Sequence, residues 1–250
     1  MLKVIVPNLD QNNIVDKKLI TFLEGKRKKN QVWNSLKGKK GIRIKGKLEH
    51  AFHNKCAYCE DNQGVTVDHF WPQSQLKPDG SNARWDYDNF ILACGGCQSA
   101  KLAQLPKDNF DVLMVNPRED DPILYLYIDY QTGALAPIGP EAERGQLTIE
   151  RLKLGERGEK YKMNDARRRK FMDVYHYMRD VVEFHSTNLP KSQDAWDRLR
   201  DHLTPANPYL AIIRQLFLDT PLGLVPLLES LRQIHPEFDD LIKDWCLPKP

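Results

Sequence analysis

No stretch of the chain approaches the roughly 18 unbroken apolar residues that a membrane-spanning helix needs. The first residues, Met1–Asn13, contain no apolar core of signal-peptide length. Together these absences lead to the expectation of a cytoplasmic protein that does not engage a membrane. Internal repeats and low-complexity tracts are also missing, which excludes solenoids and compositionally disordered chains. Cysteine is sparse, five in 250 residues. In a reducing compartment, cysteines that come in close pairs more often mean metal than disulfide.

What is present reads as an ordinary globular protein, 41% hydrophobic and 28% charged, long enough for one large domain or two small ones. The net charge of +3 is unevenly spread. Residues 1–50 carry thirteen Lys/Arg against four Asp/Glu, whereas the remainder carries 24 against 30. The run Lys26-Arg27-Lys28-Lys29 is either a phosphate-binding surface or a solvated helix face. A second basic patch, Lys37–Gly41, reads as a loop.

Periodicity divides the chain further. Residues 1–50 form a basic, mainly helical region, with Ile44, Leu48 and Phe52 on a helix leading into Cys56. Residues 51–110 hold the residues of chemical interest. Residues 111–150 read as a strand and hairpin connection: Ile123–Tyr130 as a buried strand, Gln131-Thr132-Gly133 as the turn, and Ala134–Ile138 as the return. Residues 151–250 read as helical, through the spacing of Phe171, Val174, Met178 and Val181, of Trp196, Leu199 and Leu203, and of Leu224, Leu227, Leu231 and Ile234. Arg167-Arg168-Arg169-Lys170 wraps most of a helix and could grip a phosphate or an acidic partner, with a solvated face the favoured reading.

Cys56-Ala57-Tyr58-Cys59 and Cys94-Gly95-Gly96-Cys97 are two C-x2-C pairs separated by 34 residues. Each pair can present two thiolates from a tight turn, and two pairs complete a tetrahedral zinc site. Gly95 and Gly96 suit a sharp turn. A redox pair would account for one C-x2-C but not two. Four protein ligands close such a site, so its zinc would be structural. Cys246 is left over.

Between the pairs, Val65-Thr66-Val67-Asp68-His69 is a candidate strand and Phe90–Ala93 a second. A helix is expected to begin near Gln98. His69 suits a general base, because imidazole ordinarily titrates near pH 6.5. Asp68 suits a hard oxygen ligand for Mg²⁺ or Mn²⁺. Lys101 is placed to meet a phosphate. His50 and His53 read as surface residues rather than extra ligands, and Trp71 and Trp85 as packing for the loop.

The order Asp68-His69-x-x-Pro72, Asn89 before an apolar strand, Cys94-x2-Cys97 and Lys101 resembles the HNH (ββα-metal) endonucleases framed by two C-x2-C pairs. The phrases Lys55–Glu60, Asn116–Pro122 and Arg144–Glu150 are similar to the PtuB family, the HNH component of Septu anti-phage systems and their retron-associated relatives. The resemblance implies an α+β fold with a central ββα-metal motif braced by a four-cysteine zinc site and flanked by helical regions. It implies metal-dependent cleavage of DNA in partnership with an ATPase subunit, which residues 151–250 would dock. It also gives Asn89 the role of orienting the loop that carries the base, and places Gln98 where relatives carry Asn or His as a ligand of the catalytic ion. An RNA-cleaving nuclease and a catalytically inactive nucleic-acid-binding module are the alternatives, the latter because of Gln98.

Overall fold

The structure, a computed structural model, describes residues 39–62, 64–72, 86–103 and 114–243. The chain divides into two compact units whose boundary falls between Pro122 and Ile123. The basic run 26–29, Trp85 and Cys246 lie outside the described residues.

In the first unit, helix α1 spans Lys39–Ala51 and packs on the second of two strands. The four-residue spacing of Ile44, Leu48 and Phe52 puts them on one stripe, and all three are buried. The helix begins inside the basic patch that reads as a loop in the sequence. Strand β1 (Val65–His69) pairs antiparallel with β2 (Phe90–Cys94), so that His69 faces Phe90 and Val65 faces Cys94. Every residue of β2 is buried, in keeping with a short continuous apolar run rather than an alternating one. Helix α2 (Gly95–Ala103) follows without a loop.

Gly95 and Gly96 therefore sit in the first turn of α2, and neither has a positive φ. The expected sharp glycine turn is absent there because the start of the helix itself reverses the chain. The left-handed residue lies at the other knuckle, where Glu60 follows Cys59 with φ 64°.

The second unit opens with a hairpin of β3 (Leu126–Ile128) and β4 (Leu135–Pro137). A cap on Asp129 sets its turn. One carboxylate oxygen accepts from the amides of Gln131 and Thr132 and from the Thr132 hydroxyl. The strand is shorter than the sequence pattern suggests, because Pro122–Leu124 forms a 3-10 turn before it. Among the described residues seven α-helices follow: α3 (Ala142–Arg151), α4 (Leu154–Lys160), α5 (Met163–Phe184), α6 (Leu189–His202), α7 (Ala211–Leu218), α8 (Val225–Ile234) and α9 (Phe238–Ile242). Their core includes Val174, Met178, Val181, Trp196, Leu199, Ile212, Leu216 and Leu231, and Ile128 of the hairpin joins it.

The hairpin thus packs within the helical unit rather than standing as a connection. The buried amide of Gln215 on α7 completes the edge of β3. It accepts from the Ile128 amide at 2.7 Å and donates to its carbonyl at 2.9 Å, so neither backbone group is buried unsatisfied.

The basic run on α5 departs from the expected solvated face. Arg168 and Arg169 are exposed, but Arg167 and Lys170 are buried. Arg167 donates to the Gly133 carbonyl at 3.3 Å and to Asn164 Oδ1 at 2.9 Å. Lys170 donates to the carbonyl of His202 at 2.6 Å, at the C-terminus of α6, where a cation complements the exposed carbonyls.

Gly133, at the hairpin turn, has φ 72°, and a Cβ there would lie 2.0 Å from the Asn164 carbonyl oxygen. Gly133→Ala is expected to destabilise the second unit by more than about 2 kcal/mol. The left-handed backbone alone costs about 1–2 kcal/mol for a non-glycine residue, and the backbone clash adds to it. Denaturant unfolding checks this, and a wild-type midpoint would refute it.

No single described helix is long and apolar enough to cross a membrane. The one pair that reaches that length and apolarity together, Ala211–Leu218 with Leu222–Ile234, is bent by 85°.

Candidate metal centre and active site

The first knuckle is built by backbone hydrogen bonds around Cys56. Its amide donates to the Asp61 carbonyl at 2.8 Å, and its carbonyl accepts from the Glu60 amide at 2.9 Å. The Ala57 amide donates to the Leu92 carbonyl at 2.7 Å, which ties the knuckle to β2. The second pair lies where β2 passes into α2, Cys94 ending the strand and Cys97 lying in the first turns of the helix.

All four cysteines are buried and their sulfurs lie within 4.8 Å of one another. Cys59 Sγ and Cys94 Sγ are 3.8 Å apart. A disulfide would need about 2.05 Å. Tetrahedral zinc with Zn–S bonds of about 2.3 Å separates its sulfurs by about 3.8 Å. The donor set therefore fits a zinc ion and could hold one. The four thiols also act on one another electrostatically. Hydrogen bonds from Cys56, Cys59 and Cys97 hold the Cys94 thiol far below its ordinary range, while Cys59 and Cys97 are pushed well up, chiefly through Cys56. Four thiolates cannot crowd together unless a cation compensates them. Among the described residues these cysteines are the one group of three or more Cys, His, Asp or Glu side chains close enough to share a metal. His50 and His53 are exposed and outside it.

The end of β1 brings together most of the other candidate residues. Successive strand residues face opposite sides. Thr66 and Asp68 face α2: Gln98 donates to Thr66 Oγ1 at 2.7 Å, and Lys101 pairs with the Asp68 carboxylate. His69 faces the other way, edge-on to Phe90 with ring centroids 4.8 Å apart, and is 5% exposed. Gln98 and Lys101 are three residues apart on α2, so both reach β1 from the same side.

Asn89 clamps the segment just beyond His69. Its Oδ1 accepts from the Trp71 amide at 2.7 Å and its Nδ2 donates to the Trp71 carbonyl at 3.0 Å. Its own carbonyl accepts from the Phe70 amide at 2.9 Å. The side chain of Trp71 packs, 6% exposed, edge-on to Phe70.

Lys101 is not on the surface. It is 2% exposed, and its ammonium donates to Asp68, to the carbonyl of His69 and, at 3.5 Å, to the Tyr58 hydroxyl. Three donors meet three acceptors. The structure thus places Lys101 as an internal counter-ion of Asp68 rather than at an exposed position for phosphate. Tyr58, from the first knuckle, was not singled out by sequence. Burial pushes its phenol well up, and the negative charge of Asp68 adds to the shift. Gln98 Nε2 also donates to the Ala93 carbonyl at 3.2 Å, so its amide nitrogen is committed to β1 and β2.

A second residue outside the sequence reading is Arg118. It reaches the 3-10 turn Tyr87–Asn89 and the start of β2, where it meets the Tyr87 and Phe90 carbonyls and the Asp88 carboxylate. In the sequence only the phrase Asn116–Pro122 pointed to that segment, and spacing carried no signal for Arg118.

No protein-family model matches the chain, and no curated protein does.

Proposed function

We propose that the chain is a metal-dependent HNH-type endonuclease whose site lies on residues 56–101 and is braced by zinc on Cys56, Cys59, Cys94 and Cys97. The observation that carries this reading is the strand–strand–helix order that gathers Asp68, His69 and Asn89, with Asn89 holding the chain just beyond His69. In this reading His69 accepts the proton of the attacking water at a ring nitrogen. Asn89 fixes the loop that carries it. Asp68, held by Lys101, offers its carboxylate to a hard divalent ion, with the amide carbonyl of Gln98 as a second donor. This donor set is sparse. It suits Mg²⁺ or Mn²⁺, since Mg²⁺ keeps several waters and is often held by one or two carboxylates together with substrate phosphates. When bound, such an ion supplies charge stabilisation at the phosphate.

The basic composition of residues 1–50 supports a nucleic-acid substrate, and Lys26, Arg27, Lys28 and Lys29 are its proposed phosphate contacts. By resemblance, that substrate is DNA, the setting is anti-phage defence in the cytoplasm, and the helical unit docks an ATPase subunit.

His69→Ala should keep one zinc per chain and a near-normal melt, yet lose at least about a hundredfold in plasmid cleavage with Mg²⁺ or Mn²⁺. Cleavage equal to wild type in clean preparations would overturn the assignment. A second reading, a zinc-braced binding module without catalysis, is favoured by the commitment of Lys101 to Asp68 and of the Gln98 amide nitrogen to Thr66. Wild-type protein that binds DNA but does not cut it, alone or with its partner, would select that reading.

A further inference from the structure

We propose that Arg118 is a positioning residue for this site, holding the segment around Asn89 so that Asn89 can in turn hold the chain beyond His69. The catalytic consequence rests on the nuclease reading; the positioning does not.

Arg118 brackets Asn89 from both sides. Its Nη1 donates to the Tyr87 carbonyl at 2.8 Å and to the Phe90 carbonyl at 2.9 Å, and its Nη2 donates to Asp88 Oδ1 at 2.8 Å. The guanidinium lies 5.1 Å from the centroid of the Tyr87 ring, and the side chain is 7% exposed. A planar fork that meets three acceptors and stacks on an aromatic ring cannot be replaced by a point-like ammonium.

The arginine is itself presented by a tight turn. Asn116 Oδ1 accepts from the Arg118 amide at 3.1 Å, the Asn116 amide donates to Asp120 Oδ2 at 2.7 Å, and the Asn116 carbonyl accepts from the Glu119 and Asp120 amides at 3.0 and 2.8 Å. Met114 and Val115 anchor the turn at full burial. From this turn a connected path runs through Arg118 to residues 87–90, through Asn89 to the backbone of Phe70 and Trp71, and so to His69. Phe70 and Trp71 share three hydrogen bonds with Asn89, their two amides donating to it and its Nδ2 donating to the Trp71 carbonyl, and Asn89 is flanked on each side by a carbonyl that Arg118 grips.

Amide hydrogen exchange by NMR on full-length, zinc-loaded protein tests the path without reference to activity. In Arg118→Met the Phe70 and Trp71 amides should exchange at least about tenfold faster. The Ala57 amide at the zinc knuckle and the α5 amides of the helical unit should keep wild-type rates. Arg118→Lys should fall in between, because it keeps the charge without the fork. In a cleavage assay the same variants should lower kcat at least about tenfold with little change in KM, as expected when a reacting group is slightly misplaced.

Unchanged exchange at Phe70 and Trp71 in a folded, zinc-loaded variant would overturn the proposal. So would acceleration that is equal at Ala57, since that marks a general loss of stability. If Arg118→Met fails to fold, Arg118→Lys decides by the same comparison. A wild-type protein that shows the exchange pattern and cuts nothing would remove the nuclease reading while leaving the positioning role in place.

Discussion

Cys94→Ser is expected to lose zinc and the folded first unit together. Wild-type protein should carry one zinc per chain by native mass spectrometry, and the variant none. Zinc binding is worth about 10–16 kcal/mol in small zinc domains, as much as or more than the roughly 5–15 kcal/mol that holds an ordinary domain together. Cys94 is the joint between β2 and α2, so losing the ion releases the start of the helix that carries Gln98 and Lys101. The effect should therefore reach the end of β1: exchange protection should fall at Val65–His69 as well as at the knuckles. A chelator that strips wild-type protein should reproduce both changes. A Cys94→Ser variant that melts with the wild type would mean the four sulfurs are reduced core thiols and not a metal centre.

Lys101→Met is expected to be strongly destabilising too, although it removes no metal ligand. The ammonium is buried, 2% exposed, against an Asp68 carboxylate that is 14% exposed, and deleting it leaves that carboxylate without its counter-ion in a largely enclosed site. Breaking a buried pair in this way costs about 3–5 kcal/mol. For a unit of this size that corresponds to a fall in Tm on the order of 15 °C. The double variant Asp68→Asn, Lys101→Met should recover part of the loss, because no orphaned charge remains. Lys101→Arg should not rescue it, since a bulkier fork has no room where three acceptors already enclose a compact ammonium. Thermal melts of the four proteins check the cycle. A Lys101→Met variant melting within about 2 °C of wild type, with DNA binding less dependent on salt, would return Lys101 to the phosphate-contact reading.

These two expectations differ in how visible they were in the linear chain. The cysteine centre is a matter of spacing and residue type: two C-x2-C pairs are local features, and softness of the ligands follows from the thiols themselves. The strands Val65–His69 and Phe90–Cys94 and the helices at Met163–Phe184, Leu189–His202 and Val225–Ile234 were legible for the same reason, since period and β-branched content act over a few residues. Helix α7, Ala211–Leu218, lies within the region read as helical, but its own bounds were not legible, because all seven residues from Ala211 to Phe217 are buried and a helix enclosed on every side has no exposed face to mark its period.

Charge behaved in the opposite way. Lys101, Arg167 and Lys170 read along the chain as surface cations and Arg118 carried no signal, yet all four are turned inward. A charged side chain can be buried wherever the fold brings it enough acceptors, and those acceptors come from distant positions: Asp68 for Lys101, Tyr87 and Phe90 for Arg118, Gly133 for Arg167, His202 for Lys170. The sequence by itself therefore determined the four-cysteine cluster that could hold a metal ion and the order of strands and helix around it. Only the tertiary structure decided which cations face water and which bind the site together, because that choice depends on acceptors that become neighbours only once the chain has folded.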